Sequence, residues 1–127
     1  MLAIMKIIYV EDNVLNLRLV QKMLRQDHNI AGAQSGAAAF EQIESDPPDL
    51  ILLDINLPDM DGYAILEHLR NGSHRHIPVI AVTANAMIGD RERILGAGFD
   101  EYIAKPLSRK ELEQAIISIG NVYPGRV

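Results

Sequence analysis

The chain reads as an α/β protein built on a five-stranded, mainly parallel sheet with helices on both faces. Three observations predict this. Ile7 to Val10, Leu50 to Leu53 and Val79 to Val82 are apolar throughout, which suits strands covered on both faces, whereas half-exposed strands would alternate. The segments between them carry apolar residues at helical spacing, so strand and helix alternate along the chain. A length of 127 residues suits one domain with a substantial core.

Taken in order, Ile7 to Val10 is the first strand, and Val14 to Gln26 follows as a helix with Leu17, Val20 and Leu24 on one face. Asn29 to Ala33 is a weak strand and Gly36 to Glu44 a second helix, leading to the apolar strand Leu50 to Leu53. Pro58 and Gly62 punctuate a loop, after which Tyr63 to Arg70 places Ile65, Leu66 and Leu69 on one helical face. Pro78 opens the strand Val79 to Val82, a position where a missing N–H is tolerated. A helix is predicted over Ala86 to Ala97 and a fifth strand over Phe99 to Ala104. Ser108, with Glu111 three residues on, forms a capping-box pattern that starts a last helix carrying Leu112, Ile116 and Ile119. Five βα units joined by right-handed crossovers follow. The reading is one domain over residues 1–120 and a short tail over 121–127, with no internal repeat.

Composition narrows the function. Apolar residues make up 48% and charged residues 23%, as in ordinary globular chains. A net charge of −5 argues against nucleic acid, whose phosphates are bound through clustered Lys and Arg. The absence of cysteine excludes disulfides, thiolate chemistry and Cys-based zinc sites. Charge breaks the N-terminal segment at Lys6, too early for a secretory signal, and no later apolar run approaches membrane-spanning length, so a cytoplasmic protein is expected.

Four strand ends deliver reactive side chains: Glu11 and Asp12, then Asp54, then Thr83, then Lys105. In a parallel sheet those ends converge on one edge, so three acids, a hydroxyl and an amine would meet in a crevice. A single acid at a strand end reads most simply as a loop or cap residue. Four matching ends read as a site. Three acids together repel and push a proton onto one of them unless a cation is present. Mg²⁺ fits, because it takes hard oxygen ligands and leaves room for waters and a phosphate oxygen. Lys105 would then meet the remaining phosphate charge, Thr83 would offer a hydroxyl, and Asp54, standing alone after a buried run, is the best nucleophile for an aspartyl phosphate.

From about Lys6 to Ile119 the chain resembles the response-regulator receiver domains of two-component signalling. The residues that carry the resemblance are the Val10-Glu11-Asp12-Asn13 turn, Asp54 within the run from Leu50 to Gly62, Val82-Thr83-Ala84, and Lys105-Pro106. The resemblance implies a flavodoxin-like strand order 2-1-3-4-5, with Asp54 accepting a phosphoryl group from a histidine kinase or histidine phosphotransfer protein. It implies Mg²⁺, with Mn²⁺ as a substitute, bound by Asp12, Asp54 and the Asn56 carbonyl, with Glu11 acting through metal-bound water. Lys105, Thr83 and Ala84 would contact the phosphoryl group, and Tyr102 would act as an aromatic switch. The Lys105-Pro106 bond would be cis, and Asn56 and Asn85 would tune hydrolysis. A downstream protein would read the face formed by the fourth helix, fifth strand and fifth helix, and phosphorylation could drive dimerisation. Such a domain is no true enzyme, since its chemistry is confined to its own phosphorylation and slow dephosphorylation.

The alternative is a Mg²⁺-dependent phosphohydrolase with an aspartate nucleophile. That chemistry wants a second acid two residues on, where this chain has the amide Asn56. A flavodoxin-like cofactor binder wants phosphate-friendly N–H groups after the first strand, where Glu11 and Asp12 would repel the ligand. Asp59-Met60-Asp61-Gly62 looks like part of a calcium loop, but that register puts Leu57 first and His68 at the bidentate position, so it reads as a turn. His74-Arg75-His76 reads as a solvated loop, and the alternating charges from Asp90 to Arg93 as a solvated helix face.

Overall fold

The structure, a computed structural model, describes residues 4–84 and 90–122. Its elements are β1 (Lys6–Val10), α1 (Val14–Leu24), β2 (Asn29–Ala33), α2 (Gly36–Ser45), β3 (Leu50–Asp54), α3 (Gly62–Arg70), β4 (Val79–Thr83), α4 (Asp90–Gly96), β5 (Glu101–Ala104) and α5 (Arg109–Val122). The strands pair in parallel in the order β2-β1-β3-β4-β5, the α/β architecture predicted above.

Alternation along each strand builds two apolar layers. Ile8, Val10, Ile51, Leu53, Val79 and Ala81 face one way, against Ala39, Ile43, Ile65, Leu66 and Ile94 of α2, α3 and α4. Ile7, Tyr9, Leu50, Leu52, Ile80 and Val82 face the other way, against Leu17, Val20 and Leu24 of α1 and Leu112, Ile116 and Ile119 of α5. Every residue of β3 and β4 is buried, which explains their unbroken apolar sequence. β2 lies at the sheet edge and leaves Asn29 and Ala31 exposed, hence its weak signal.

Several boundaries differ from the sequence reading. α1 stops at Leu24 because Asp27 and His28 turn their N–H groups back to the Leu24 carbonyl. α3 starts at Gly62, with the Asp61 carboxylate accepting from Tyr63 N at 2.8 Å as its cap. β5 starts at Glu101, not Phe99: Gly98 turns the chain at φ 113°, Phe99 drops into the core, and the Asp100 carboxylate takes up Val79 N. α5 runs on through Val122, so Gly120 is helical and the predicted tail loses its first residues to the helix. The Ser108 hydroxyl accepts from Glu111 N at 3.2 Å, as the capping pattern predicts. The first part of the predicted Ala86 to Ala97 helix falls outside the described residues.

Candidate functional site

Register places the site. Val10 pairs with Leu53, Asp54 with Val82, and Thr83 with Ala104, so β1, β3, β4 and β5 end on one edge. Glu11, Asp12, Asp54, Thr83 and Lys105 therefore gather there. Glu11 and Asp54 are buried, at 1% and 3% exposure, while Asp12 is exposed. One oxygen from each of the three acids lies within 4.8 Å of the others.

Lys105 Nζ bridges the two buried acids, donating to Glu11 Oε1 at 2.7 Å and to Asp54 Oδ2 at 3.1 Å. Asp54 Oδ1 accepts from Asn56 N at 2.9 Å, which fixes the carboxylate plane and ties it to the loop that follows. The loop is held down by Gly62 N donating to Ile55 O at 2.9 Å. A Cβ at Gly62 would stand 2.6 Å from Ile55 Cα, so this close approach demands glycine. Pairing of the Lys105 N–H with Thr83 O at 2.8 Å carries the β4–β5 ladder to the site, and the Lys105-Pro106 peptide bond is cis.

The electrostatics separate the two acids. Burial raises the proton affinity of Glu11, but hydrogen bonds led by that from Lys105 outweigh it and lower its pKa to about 2. Burial and the neighbouring Glu11 carboxylate raise Asp54 above the usual carboxylate range, against the opposing bonds from Asn56 N and Lys105. Burial alone would lower the Lys105 pKa, yet its two carboxylate partners leave it raised, so the amine stays charged. This is the separation that crowding of acids predicts. A compact set of hard oxygen donors, two of them desolvated, matches what Mg²⁺ accepts.

The response-regulator receiver family matches residues 7–117. This chain is a receiver domain. A 104-residue stretch is 42% identical to the polar-differentiation response regulator DivK of Brucella ovis, covering 80% of this chain and 85% of that protein. A 115-residue stretch is 40% identical to the signal transduction histidine-protein kinase BarA of Escherichia coli, covering 89% of this chain. The receiver corresponds to only 12% of BarA's length. Among solved structures, the receiver of sensor histidine kinase PA1611 from Pseudomonas aeruginosa is 39% identical, with a TM-score of 0.79 over 89% of this chain and 94% of that one. That receiver holds a magnesium ion in its active-site cleft. Receiver domains are regulatory modules that work with histidine kinases or phosphotransfer proteins, and membership does not favour the phosphohydrolase alternative.

The remaining predicted site residues fall as follows. Thr83 is buried at the end of β4 and Ala84 is exposed just beyond it. Asn56 is exposed and lines an open cleft of about 580 Å³ with Asp12, Asp59 and Arg93. Tyr102 is half-buried on β5 and packs on the α2, α3 and α4 side of the core. Asn85 lies outside the described residues. His74 pairs with Glu44 at 3.4 Å, away from the receiver's acidic cluster.

Sequence reasoning missed three residues. Tyr9 OH donates to Glu11 Oε1 at 3.2 Å, Asn16 Nδ2 donates to the same oxygen at 3.1 Å, and Asp59 accepts from Gly36 N at 3.0 Å across to α2. The Tyr9 hydroxyl is the one polar side-chain group in the apolar run from Ile7 to Val10, but a strand tyrosine has too ordinary a use to mark a site. The Asp59 contact, spanning 23 residues, left none.

Proposed function

We propose that Asp54 accepts a phosphoryl group from a phosphohistidine and that the resulting acyl phosphate changes which proteins this receiver binds. The observation that carries the reading is the Lys105 amine set between two buried carboxylates on the same sheet edge. In the transfer, the donor's P–N bond breaks as an O–P bond forms to an Asp54 oxygen, and the imidazole leaves with the electron pair. Lys105 turns from the acids to the phosphoryl oxygens, with Thr83 and Ala84 as further contacts at the end of β4. Asp12, Asp54 and the Asn56 carbonyl would hold Mg²⁺, or Mn²⁺ in its place, with Glu11 behind them. The metal supplies charge neutralisation that lets an anionic carboxylate meet an anionic phosphoryl group.

The surroundings support docking of a histidine-bearing donor protein. Leu15 and Leu19 of α1 are 73% and 47% exposed, beside a cavity of about 320 Å³ lined in part by Leu19, Val20, Pro106 and Leu107. That apolar rim next to Lys105 would seat a partner over the site. On the output side, a shallow groove of about 220 Å³ between β5 and α5 is lined by Glu101, Tyr102, Glu111 and Gln114. Turning Tyr102 inward would reshape that face for a downstream protein or for a second copy. Asn56, two residues after the acceptor, and Asn85, two residues after Thr83 in the sequence, are amides and not a second acid, which favours slow hydrolysis. The reading is of one receiver unit over residues 1–120, acting in the cytoplasm; no described helix is long and apolar enough to cross a membrane.

The test is incubation with Mg²⁺ and acetyl phosphate followed by intact-mass measurement, with Asp54→Asn alongside. A metal-dependent gain of one phosphoryl group, absent from the variant, is the expected result. No adduct at any time with Mg²⁺ bound would overturn the assignment of Asp54.

A further inference from the structure

Lys105 has two tasks that compete. Its amine now neutralises Glu11 at 2.7 Å, yet the proposed reaction needs it on the phosphoryl group. Glu11 is 1% exposed, so a departing lysine would strand a buried carboxylate unless other donors hold it. Two further donors reach the same oxygen: Tyr9 OH at 3.2 Å and Asn16 Nδ2 at 3.1 Å.

Both donors are fixed in place. Tyr9 is fully buried on β1, packed in the layer beneath α1 and α5. Its hydroxyl, protonated at neutral pH as tyrosine ordinarily is, has the Glu11 carboxylate as its acceptor. Asn16 sits in the first turn of α1, where its backbone N–H is capped by the Asn13 side chain at 3.1 Å. The cavity of about 320 Å³ that Tyr9, Asn16 and Lys105 share gives the lysine stem room to swing.

We infer that Tyr9 and Asn16 are positioning residues for phosphoryl transfer, two neutral donors that keep Glu11 in place and so release Lys105 to the phosphoryl group. This rests on the acceptor role proposed above for Asp54. Neither residue touches the reacting atoms. The arrangement also accounts for the length of Glu11: the side chain spans from the strand end to the Tyr9 hydroxyl, and an aspartate, one methylene shorter, falls short of it.

The experiment compares the full chain with Tyr9→Phe, Asn16→Ala, Glu11→Asp and the double variant Tyr9→Phe/Glu11→Asp. Three quantities are read: Mg²⁺ affinity by calorimetry, adduct formation from acetyl phosphate at saturating Mg²⁺, and thermal midpoint. Loss of an outer-shell partner lowers metal affinity or activity by roughly 10- to 100-fold, and about tenfold in both readouts is expected for each single variant at Tyr9 and Asn16. In the Glu11→Asp background Tyr9→Phe has no further effect, because the bond it removes is already absent. Single variants within twofold of the parent chain, or an equal Tyr9→Phe loss in both backgrounds, overturn the inference. A parent chain that binds Mg²⁺ but gains no phosphoryl group overturns the Asp54 reading instead, and the Mg²⁺ affinities across the same cycle then decide the role of Tyr9 and Asn16.

Discussion

Removing the cation at the centre of the site should expose how much the two acids depend on it. In Lys105→Met the apolar stem is retained, while Glu11 and Asp54 lose the amine that stands 2.7 and 3.1 Å from them. Truncating one partner of a buried ion pair costs about 3–5 kcal/mol, chiefly through the charge left behind. Lys105 is 24% exposed, so water reaches the gap and the lower end, about 3 kcal/mol, applies. With a urea dependence of about 1.5 kcal/mol per M, the unfolding midpoint at pH 7 without Mg²⁺ falls by about 2 M. The deficit is pH-dependent. Glu11 is lowered from 4.5 to about 2 in the folded chain, so its stabilisation is present above pH 4.5 and fades as pH falls toward 2. Parent and variant should therefore converge below pH 4.5, and added Mg²⁺ should narrow the gap at pH 7. A midpoint shift below roughly 0.5 M, or an undiminished deficit once Glu11→Gln and Asp54→Asn are introduced, would refute a role for Lys105 as the counter-charge.

Three further outcomes are expected. His28 accepts from Met5 N at 3.0 Å, and burial lowers its pKa below 6.5; the unfolded chain then binds more protons, so stability declines as pH falls below 6.5, and His28→Gln should flatten that slope in denaturation curves from pH 8 to 5. Gly62→Ala forces a Cβ against Ile55 Cα and should cost about 1–3 kcal/mol by urea unfolding while weakening Mg²⁺ binding through the displaced Asn56 loop. Asp59→Ala removes the bonds to Gly36 N and Ala37 N that join this loop to α2, lowering the thermal midpoint and, by calorimetry, the Mg²⁺ affinity; an unchanged affinity would mean that the loop holds its shape without α2.

How legible the fold was depends on burial. β1, β3 and β4 announce themselves because both of their faces are covered and few polar residues interrupt them. β2 and β5, at the edges, tolerate polar residues, and the start of β5 was misplaced because Phe99 is apolar for a different reason: it fills the core ahead of the strand and packs edge-on against Tyr63 at 5.6 Å. The acids and the lysine were legible because their positions at strand ends repeat. Tyr9, Asn16 and Asp59 were not, since a hydroxyl in a strand, an amide in a helix and an acid in a turn each have an ordinary local use. Which atom they touch depends on how distant elements pack.

The strand order also has a consequence for the chain as it is made. Lys105 lies 94 residues beyond Glu11 and 51 beyond Asp54, and it reaches them only when β5 has paired with β4. A nascent chain that has released β1 to β4 thus carries Asp54 without the amine that neutralises it in the finished fold. On the proposed role of Asp54, competence for phosphoryl transfer would arrive only with the last strand, and a copy that lacks β5 would lack it.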